Sequence, residues 1–215
     1  QFSLGHAGFI AIGSYSGAIL GKMMNGLPGL FAGMAVGVVI SVIVAFLVGL
    51  PTLRLKGDYL AIATLGVAEI IRVAVTNMKI TNGAAGISGV PLTNTWTITY
   101  IALVLTTILI LNYTFSSAGR ATYAVLQDEI AAESMGVQVT KYKILAFVLG
   151  AATASIGGTL SATTLGAVTP SDFTFMKSID VLIIVVFGGI GSFTGSFVAA
   201  VLLGIINLVL QPFGQ

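Results

Sequence analysis

From Leu30 to Leu50 the sequence runs without a charged side chain, and from Val181 to Gln215 it does so again. Stretches of that kind have few places to go. A helix crossing a hydrocarbon core of about 30 Å needs about 20 apolar residues, and in lipid only helices and closed barrels satisfy every backbone N–H and C=O. Further apolar runs follow at Tyr59 to Met78, interrupted by Glu69 and Arg72, at Trp96 to Phe115 and at Ile144 to about Leu165. Charged residues make up 7% of the 215 and hydrophobic residues 56%, whereas a water-facing domain carries roughly a quarter charged. The fold class that follows is all-α: a polytopic transmembrane helix bundle, one domain over residues 1–215.

The ends of the runs carry their own signals. Pro51 is expected to stop the first at Leu50, because proline lacks an N–H and its ring clashes with the preceding turn. Trp96 and Tyr100 at one end of the third run, with Tyr113 at the other, match an aromatic belt. The opening run, Phe9 to Gly21, is short and reads as a partial helix or the tail of one. The last run would be about 50 Å long as one helix, well beyond the bilayer core. A broken helix is therefore expected near the carboxyl terminus, at "FGGIGSFTG", where Gly188, Gly189, Gly191 and Gly195 disfavour continuous helix. Two readings of that break stay open: half-helices meeting inside the bundle, as transporters use them, or an ordinary turn between two apolar elements. Small residues recur every fourth position at Gly29, Gly33, Gly37, Ser41, Ala45 and Gly49, at Gly150, Ala154, Gly158, Ala162 and Gly166, and at Gly191, Gly195 and Ala199. Such stripes let helix backbones approach closely. "GSYSG" at 13 and "GSFTG" at 191 hint at an internal repeat.

Most chemistries are excluded by inventory. There is no Cys, which removes disulfides, thiolate metal sites and a Cys nucleophile, and the single His has no companion for a metal site. "SGAILGKMM" fails as a phosphate loop, with Ser16 in place of the first Gly and Met23 where Ser or Thr would hold Mg²⁺. "TNGAAGISG" is Gly-rich but follows a membrane span. The net charge of +2 comes from basic residues scattered between apolar spans and forms no nucleic-acid footprint. No enzyme, no metal and no nucleic acid are expected. The chain begins "QFSLGHAGF", with neither an initiator Met nor the pattern of a signal peptide, and is expected to be a piece of a longer protein.

The remaining charges cluster. Glu69 and Arg72 lie three apart on one helix face, either a pathway or gate or a self-neutralising ion pair. Asp172, Lys177 and Asp180 read as solvated loop charge, and His6 as a residue hydrogen-bonding backbone at a helix start. "GRATYAVLQDEIAAESMG", Gly119 to Gly136, is the most polar stretch and lies in a loop, residues 116–143, between two spans. Placing it in the cytoplasm puts Arg54, Lys56, Arg120, Lys141 and Lys143 inside, against Lys22, Lys79 and Lys177 outside, in the sense of the positive-inside rule.

That loop, ending at Gly136 and followed by "VQVTKYKILAFVLGA", resembles the EAA-type coupling loop of ABC importer permeases. With "SLGHAGFIAIGSY", "LKGDYLAIATLGVAEIIR", "TNGAAGI" and "VVFGGIGSFTGSFVAA" in family order, the chain resembles the branched-chain amino-acid permease family, in its LivM-type branch. Counted back from Gly136, Ile130 stands where the general motif has Glu, Ala131 and Ala132 keep theirs, and Glu129 is what this branch resembles. The family has one or more helices before "SLGH" that this sequence lacks.

The resemblance implies a permease subunit of an ATP-driven importer in the inner membrane, with branched-chain or other hydrophobic amino acids as cargo. Implied partners are two ATP-binding cassette subunits, a second related permease chain and an external solute-binding protein. ATP and Mg would sit on the ATPase subunits, and this chain would bind no cofactor. Docking would use Gly119, Arg120, Leu126, Asp128, Glu129, Ile130, Ala131, Ala132, Glu133 and Gly136. Leu126 and Ile130 would share one face of a coupling helix, Glu129 and Glu133 another, and Ala131 and Ala132 would let the partner approach. His6, Glu69, Arg72, Gly188, Gly189 and Gly191 are candidates for the translocation pathway or gate. Urea, amide or sugar cargo within the same family is the alternative, beside an ion-coupled secondary transporter or channel and a non-transporting membrane scaffold.

Overall fold

The computed structural model describes residues 3–53, 55 and 57–210, with only the backbone for Asp58, Asn207, Leu208 and Leu210. In chain order the helices are α1 His6–Met23, α2 Leu27–Thr52, α3 Asp58–Asn77, α4 Trp96–Phe115, α5 Ser117–Gln127, α6 Glu129–Ser134, α7 Val139–Leu165, α8 Phe175–Gly188 and α9 Phe193–Leu210. Apart from 3₁₀ turns at Gly83–Ala85 and Pro170–Phe173, the other regular element is an antiparallel pair of two-residue strands, β1 Ile87–Ser88 and β2 Ala167–Val168. The bundle is all-α, as its composition requires. Helices α2, α3, α4 and α7 are long and apolar enough to cross a membrane.

The centre of the bundle is α1, which packs against α2 and α7. These three helices meet backbone to backbone. A Cβ added at Gly13 would lie 1.9 Å from the Ser155 carbonyl oxygen, one at Gly158 2.1 Å from the Ile10 carbonyl oxygen, and one at Gly33 2.7 Å from the Gly17 Cα. Two hydrogen bonds cross the same contact in opposite directions: Thr159 Oγ1 donates to the Gly13 carbonyl and Ser14 Oγ to the Gly158 carbonyl, both at 2.9 Å. Lipid gives helices no hydrophobic reason to associate, so close packing and interhelical hydrogen bonds hold them together. On α2 the expected stripe is the buried face, Gly29, Gly33, Gly37, Ser41, Ala45 and Gly49, while Phe31, Val39, Ile43, Phe46 and Leu47 point outward. On α7 the face is displaced by about one residue, to Ala151, Ser155, Gly158, Thr159 and Ala162. There Thr159, whose hydroxyl bonds the Gly13 carbonyl, and Gly158, whose carbonyl accepts from Ser14, select the face. Gly150 and Ala154 are only half-buried, and Gly166 ends the helix in a left-handed conformation at φ 73°.

Three helix boundaries differ from expectation. The short opening run is part of a complete helix of 18 residues; its glycines and serines lower its apolarity because protein, rather than lipid, surrounds it. Pro51 does not stop α2 at Leu50. It sits in the last turn, where it withdraws a single bond from the Leu47 carbonyl, and the helix closes at Thr52, whose Oγ1 donates to Val48 at 2.8 Å. Helix α7 starts at Val139, so Lys141 and Lys143 belong to its first turns and not to the preceding loop.

The two ends of the bundle are distinct. At one, Lys22 Nζ donates to the Ser88 carbonyl at 2.9 Å and β1 pairs with β2; at the other lie α5, α6 and the start of α1. After β2 the chain turns back into the bundle. Phe173 packs on Tyr15 near the middle of α1, with ring centroids 6.1 Å apart, and Ser178 Oγ accepts the Ala7 N–H in the first turn of α1 at 3.2 Å. Val168, Pro170 and Phe173 are buried there, and irregular backbone at membrane depth requires such protein cover. Asp172 does not stand free: it closes a capping box with Thr169. Lys177 and Asp180 are residues of α8, not of a loop, and Lys177 adjoins Ser178 near the start of α1, away from Lys22 and Lys79. Arg54 and Lys56 lie outside the described residues.

The break in the last apolar run is a turn between two packed helices. Gly189 and Gly191 have φ of 90° and 89°, which L side chains rarely adopt. A Cβ on Gly195 would lie 1.8 Å from the Gly188 carbonyl oxygen, so α9 leaves the turn in backbone contact with α8. "GSYSG" lies inside α1 whereas "GSFTG" spans this turn, and the two are not structural equivalents.

Candidate functional site

The polar stretch folds into two short helices laid across the end of the bundle. Ser116 caps α5 by accepting the Gly119 N–H at 3.1 Å, and Arg120 Nη1 donates to the Phe115 carbonyl at the carboxyl end of α4 at 3.0 Å. Gly119 has no room for a side chain, since a Cβ there would lie 2.2 Å from the Tyr113 carbonyl oxygen. Asp128 is extended, with φ −154°, and separates α5 from α6. Leu126 and Ile130 therefore stand on different helices and do not share a helical face. The Asp128 carboxylate accepts the Ile130 and Ala131 N–H groups at 2.9 and 3.1 Å, an N-cap. Gly136, at φ 81°, closes α6: the Val137 N–H reaches back to the Ala132 carbonyl at 3.0 Å and the Gly136 N–H to Glu133 at 2.9 Å, the pattern of a Schellman motif.

Capped at both ends, α6 is also pinned from behind. Glu129 forms an ion pair with Lys143 of α7, whose side chain is only 9% exposed. Glu129 is thus engaged within the chain, while Glu133 is exposed. Ala132 is 5% exposed, so its small side chain serves packing inside the protein and is not presented to a partner; Ala131 is exposed. Beside Glu133, three large apolar side chains face outward: Leu126 at 52%, Ile130 at 75% and Met135 at 84% exposure.

Behind α5 lies a cavity of about 540 Å³ between the start of α1, the end of α4 and α7. Its walls include Val125, Ala146 and Phe147 together with His6, the Glu129–Lys143 pair and the hydroxyl pair Tyr113–Thr122, 2.6 Å apart. Phe147 is held edge-on against Phe9, with centroids 5.6 Å apart.

Over residues 1–215 the chain matches the family described as branched-chain amino acid transport system / permease component. The chain belongs to this family. It is 36% identical over 247 residues, covering 99% of this chain and 58% of the relative, to the high-affinity branched-chain amino acid transport system permease protein LivM of Salmonella typhimurium. It is 35% identical to LivM of Escherichia coli with the same coverage. With LivH of Escherichia coli, of the same transport system by its description, the identity is 31% over 118 residues, 55% of this chain and 37% of the relative. The chain thus spans 58% of the length of the LivM relatives. No solved structure matches it. Family membership and the four apolar helices make it a multi-pass membrane protein.

Within this chain the candidate pathway residues are not brought together. His6 is in the cavity beside α5, its Nδ1 3.2 Å from the Ser3 carbonyl, the backbone bond expected of it. Glu69 and Arg72 form an ion pair in the second half of α3, with Arg72 Nε donating to both carboxylate oxygens at 3.0 and 2.9 Å. Gly188, Gly189 and Gly191 shape the α8–α9 turn. Among the described residues no three His, Asp or Glu side chains are grouped to hold a metal ion. Lys143 escaped the sequence reading of the site. The signal was Gly136 itself: once it closes α6, only Val137 and Gln138 remain before α7, and Lys143 falls in the first turns of that helix, opposite Glu129.

The cap at Asp128 carries a prediction. Asp128→Ala removes the acceptor of two N–H groups and should destabilise α6 by about 1 kcal/mol, seen as faster amide exchange at Ile130 and Ala131 with the unfolding temperature of the whole chain changed little.

Proposed function

We propose that this chain is the permease subunit of an ATP-driven importer, in which α5 and α6 face the cytoplasm of an inner-membrane protein and receive the ATPase subunits. The observation that supports this best is a six-residue helix, α6, capped at both ends, braced by Glu129–Lys143 and presenting exposed Ile130 and Met135. A short element of this kind can pass on a push, because its caps and its ion pair to α7 hold it to the bundle. Branched-chain or other hydrophobic amino acids are the cargo that the LivM and LivH relatives support. A second related permease chain and an external solute-binding protein complete the assembly, and ATP and Mg reside on the ATPase subunits. The chain itself performs no catalysis; it shifts between conformations that the ATP-bound and ATP-free partner contact differently.

Co-purification with the ATPase subunits tests this. Ile130→Asp with Met135→Asp should abolish capture, because desolvating a carboxylate at the centre of an apolar contact costs more than the contact yields, while the variant elutes and melts like the parent chain. Capture that survives this double variant refutes docking on α6. A bulky residue at Ala132 is no substitute, since Ala132 is buried within the chain.

A further inference from the structure

We infer that the cavity behind α5 is a binding site for a small zwitterion with an apolar side chain, an amino acid of the cargo class, entering from the side on which α5 and α6 lie. The choice of ligand chemistry comes from what the walls offer. At one end Lys143 brings an ammonium with three donors, and its side chain is more than nine-tenths buried. Glu129 adjoins it, and His6 also lines the cavity. His6 Nδ1 is engaged with the Ser3 carbonyl as donor, which leaves Nε2 as an acceptor with no protein partner among the described residues. The apolar part of the wall includes Val125 from α5, and Ala146 and Phe147 from α7, the last fixed by its contact with Phe9. A carboxylate on Lys143, an ammonium on Glu129 and His6, and an aliphatic side chain against Phe147 satisfy every one of these groups at once. The volume, about 540 Å³, is within the range of about 300–1,000 Å³ of small-molecule sites.

A zwitterion here does something that a neutral ligand cannot. It can offer each member of the Glu129–Lys143 pair an opposite charge, so the pair can separate without leaving the buried Lys143 ammonium unpaired. Since that pair pins α6 to α7, occupancy loosens the α6 surface. Cargo that has accumulated on the receiving side then weakens the contact that drives its own import. This inference rests on the proposed role of α6, but the site is tested without the ATPase.

The experiment is equilibrium dialysis of labelled L-leucine against the full chain in lipid nanodiscs. Saturable binding is expected, reduced at least tenfold by Lys143→Met and by Ala146→Leu, which fills the cavity without altering charge. Neither 4-methylpentanoate, which lacks the ammonium, nor isoamylamine, which lacks the carboxylate, should compete. Should Lys143→Met not fold, Ala146→Leu carries the test alone. Absence of saturable leucine binding up to millimolar concentration overturns the inference, and so does binding that the folded variants leave unchanged. Competition by 4-methylpentanoate as strong as by leucine overturns the zwitterion assignment. ATPase capture measured without leucine reports separately on the role of α6, so the two readings fail independently.

Discussion

Replacing Gly13 with leucine should dismantle the bundle. The Cβ alone would lie 1.9 Å from the Ser155 carbonyl oxygen and 2.6 Å from its carbon, and both are backbone atoms that no rotamer change can move. Helices α1 and α7 would have to separate along the line where Thr159 bonds Gly13 and Ser14 bonds Gly158, and the Gly17–Gly33 contact with α2 lies one turn away. Overpacking a core against adaptable side chains costs about 1–3 kcal/mol; against backbone on two sides the cost reaches the upper end of that range or beyond, a large share of a typical stability of about 5–15 kcal/mol. The expected result is loss of monodisperse protein in detergent. Gly66→Leu is the control, since a Cβ at Gly66 meets nothing within 4 Å, and it should melt within a few degrees of the parent. Equal melting temperatures for the two variants would refute the backbone contact.

The second large effect concerns Arg72. Arg72→Leu strips Glu69 of a partner that holds both its carboxylate oxygens, and a lone ionised side chain within a membrane helix costs about 2.5–3.5 kcal/mol on insertion scales. Insertion and yield should fall severalfold. Glu69→Leu with Arg72→Leu should restore both, because a neutral pair and two leucines are alike in net charge and the leucines suit lipid better. Transport by the double variant discriminates between the two readings of this pair. Uptake within about twofold of the parent marks a structural ion pair, the outcome expected from its self-contained geometry, whereas an inserted but inactive double variant would mark a gate.

Much of the architecture was legible because the bilayer imposes strict rules. Apolar length gave α2, α3, α4 and α7, with α3 legible despite Glu69 and Arg72 inside it, and four-residue spacing of small side chains gave the buried face of α2. The errors came where neighbouring protein, not lipid, sets the terms. The residues of α1 look too polar and too short a run until α2 and α7 are placed around it. The buried face of α7 is displaced because Thr159 and Ser155 meet α1, which a search for small residues alone does not register. In the site, the caps at Asp128 and Gly136 could be read locally. The short link after Gly136 puts Lys143 within reach of Glu129, but the inward turn of Ala132 depends on the angle at which α6 meets α7, and no local pattern encodes that angle. The chain's return into the bundle through Phe173 likewise depends on a long-range partner, Tyr15.

The position of α1 also bears on how the protein is made. Its neighbours α2 and α7 can each enter a bilayer on their own hydrophobicity, whereas α1 is not among the helices apolar enough to do so. Its face of glycine and serine is covered by Ser155 and Thr159 of α7 and by the Gly33–Gly37 surface of α2. Yet α7 leaves the ribosome more than a hundred residues after α1. Until then the glycine and serine face of α1 lacks the α7 surface that covers it in the finished bundle. Later still come Phe173 on Tyr15 and Ser178 on the Ala7 N–H, so α1 is completed by parts of this chain that are made after α7.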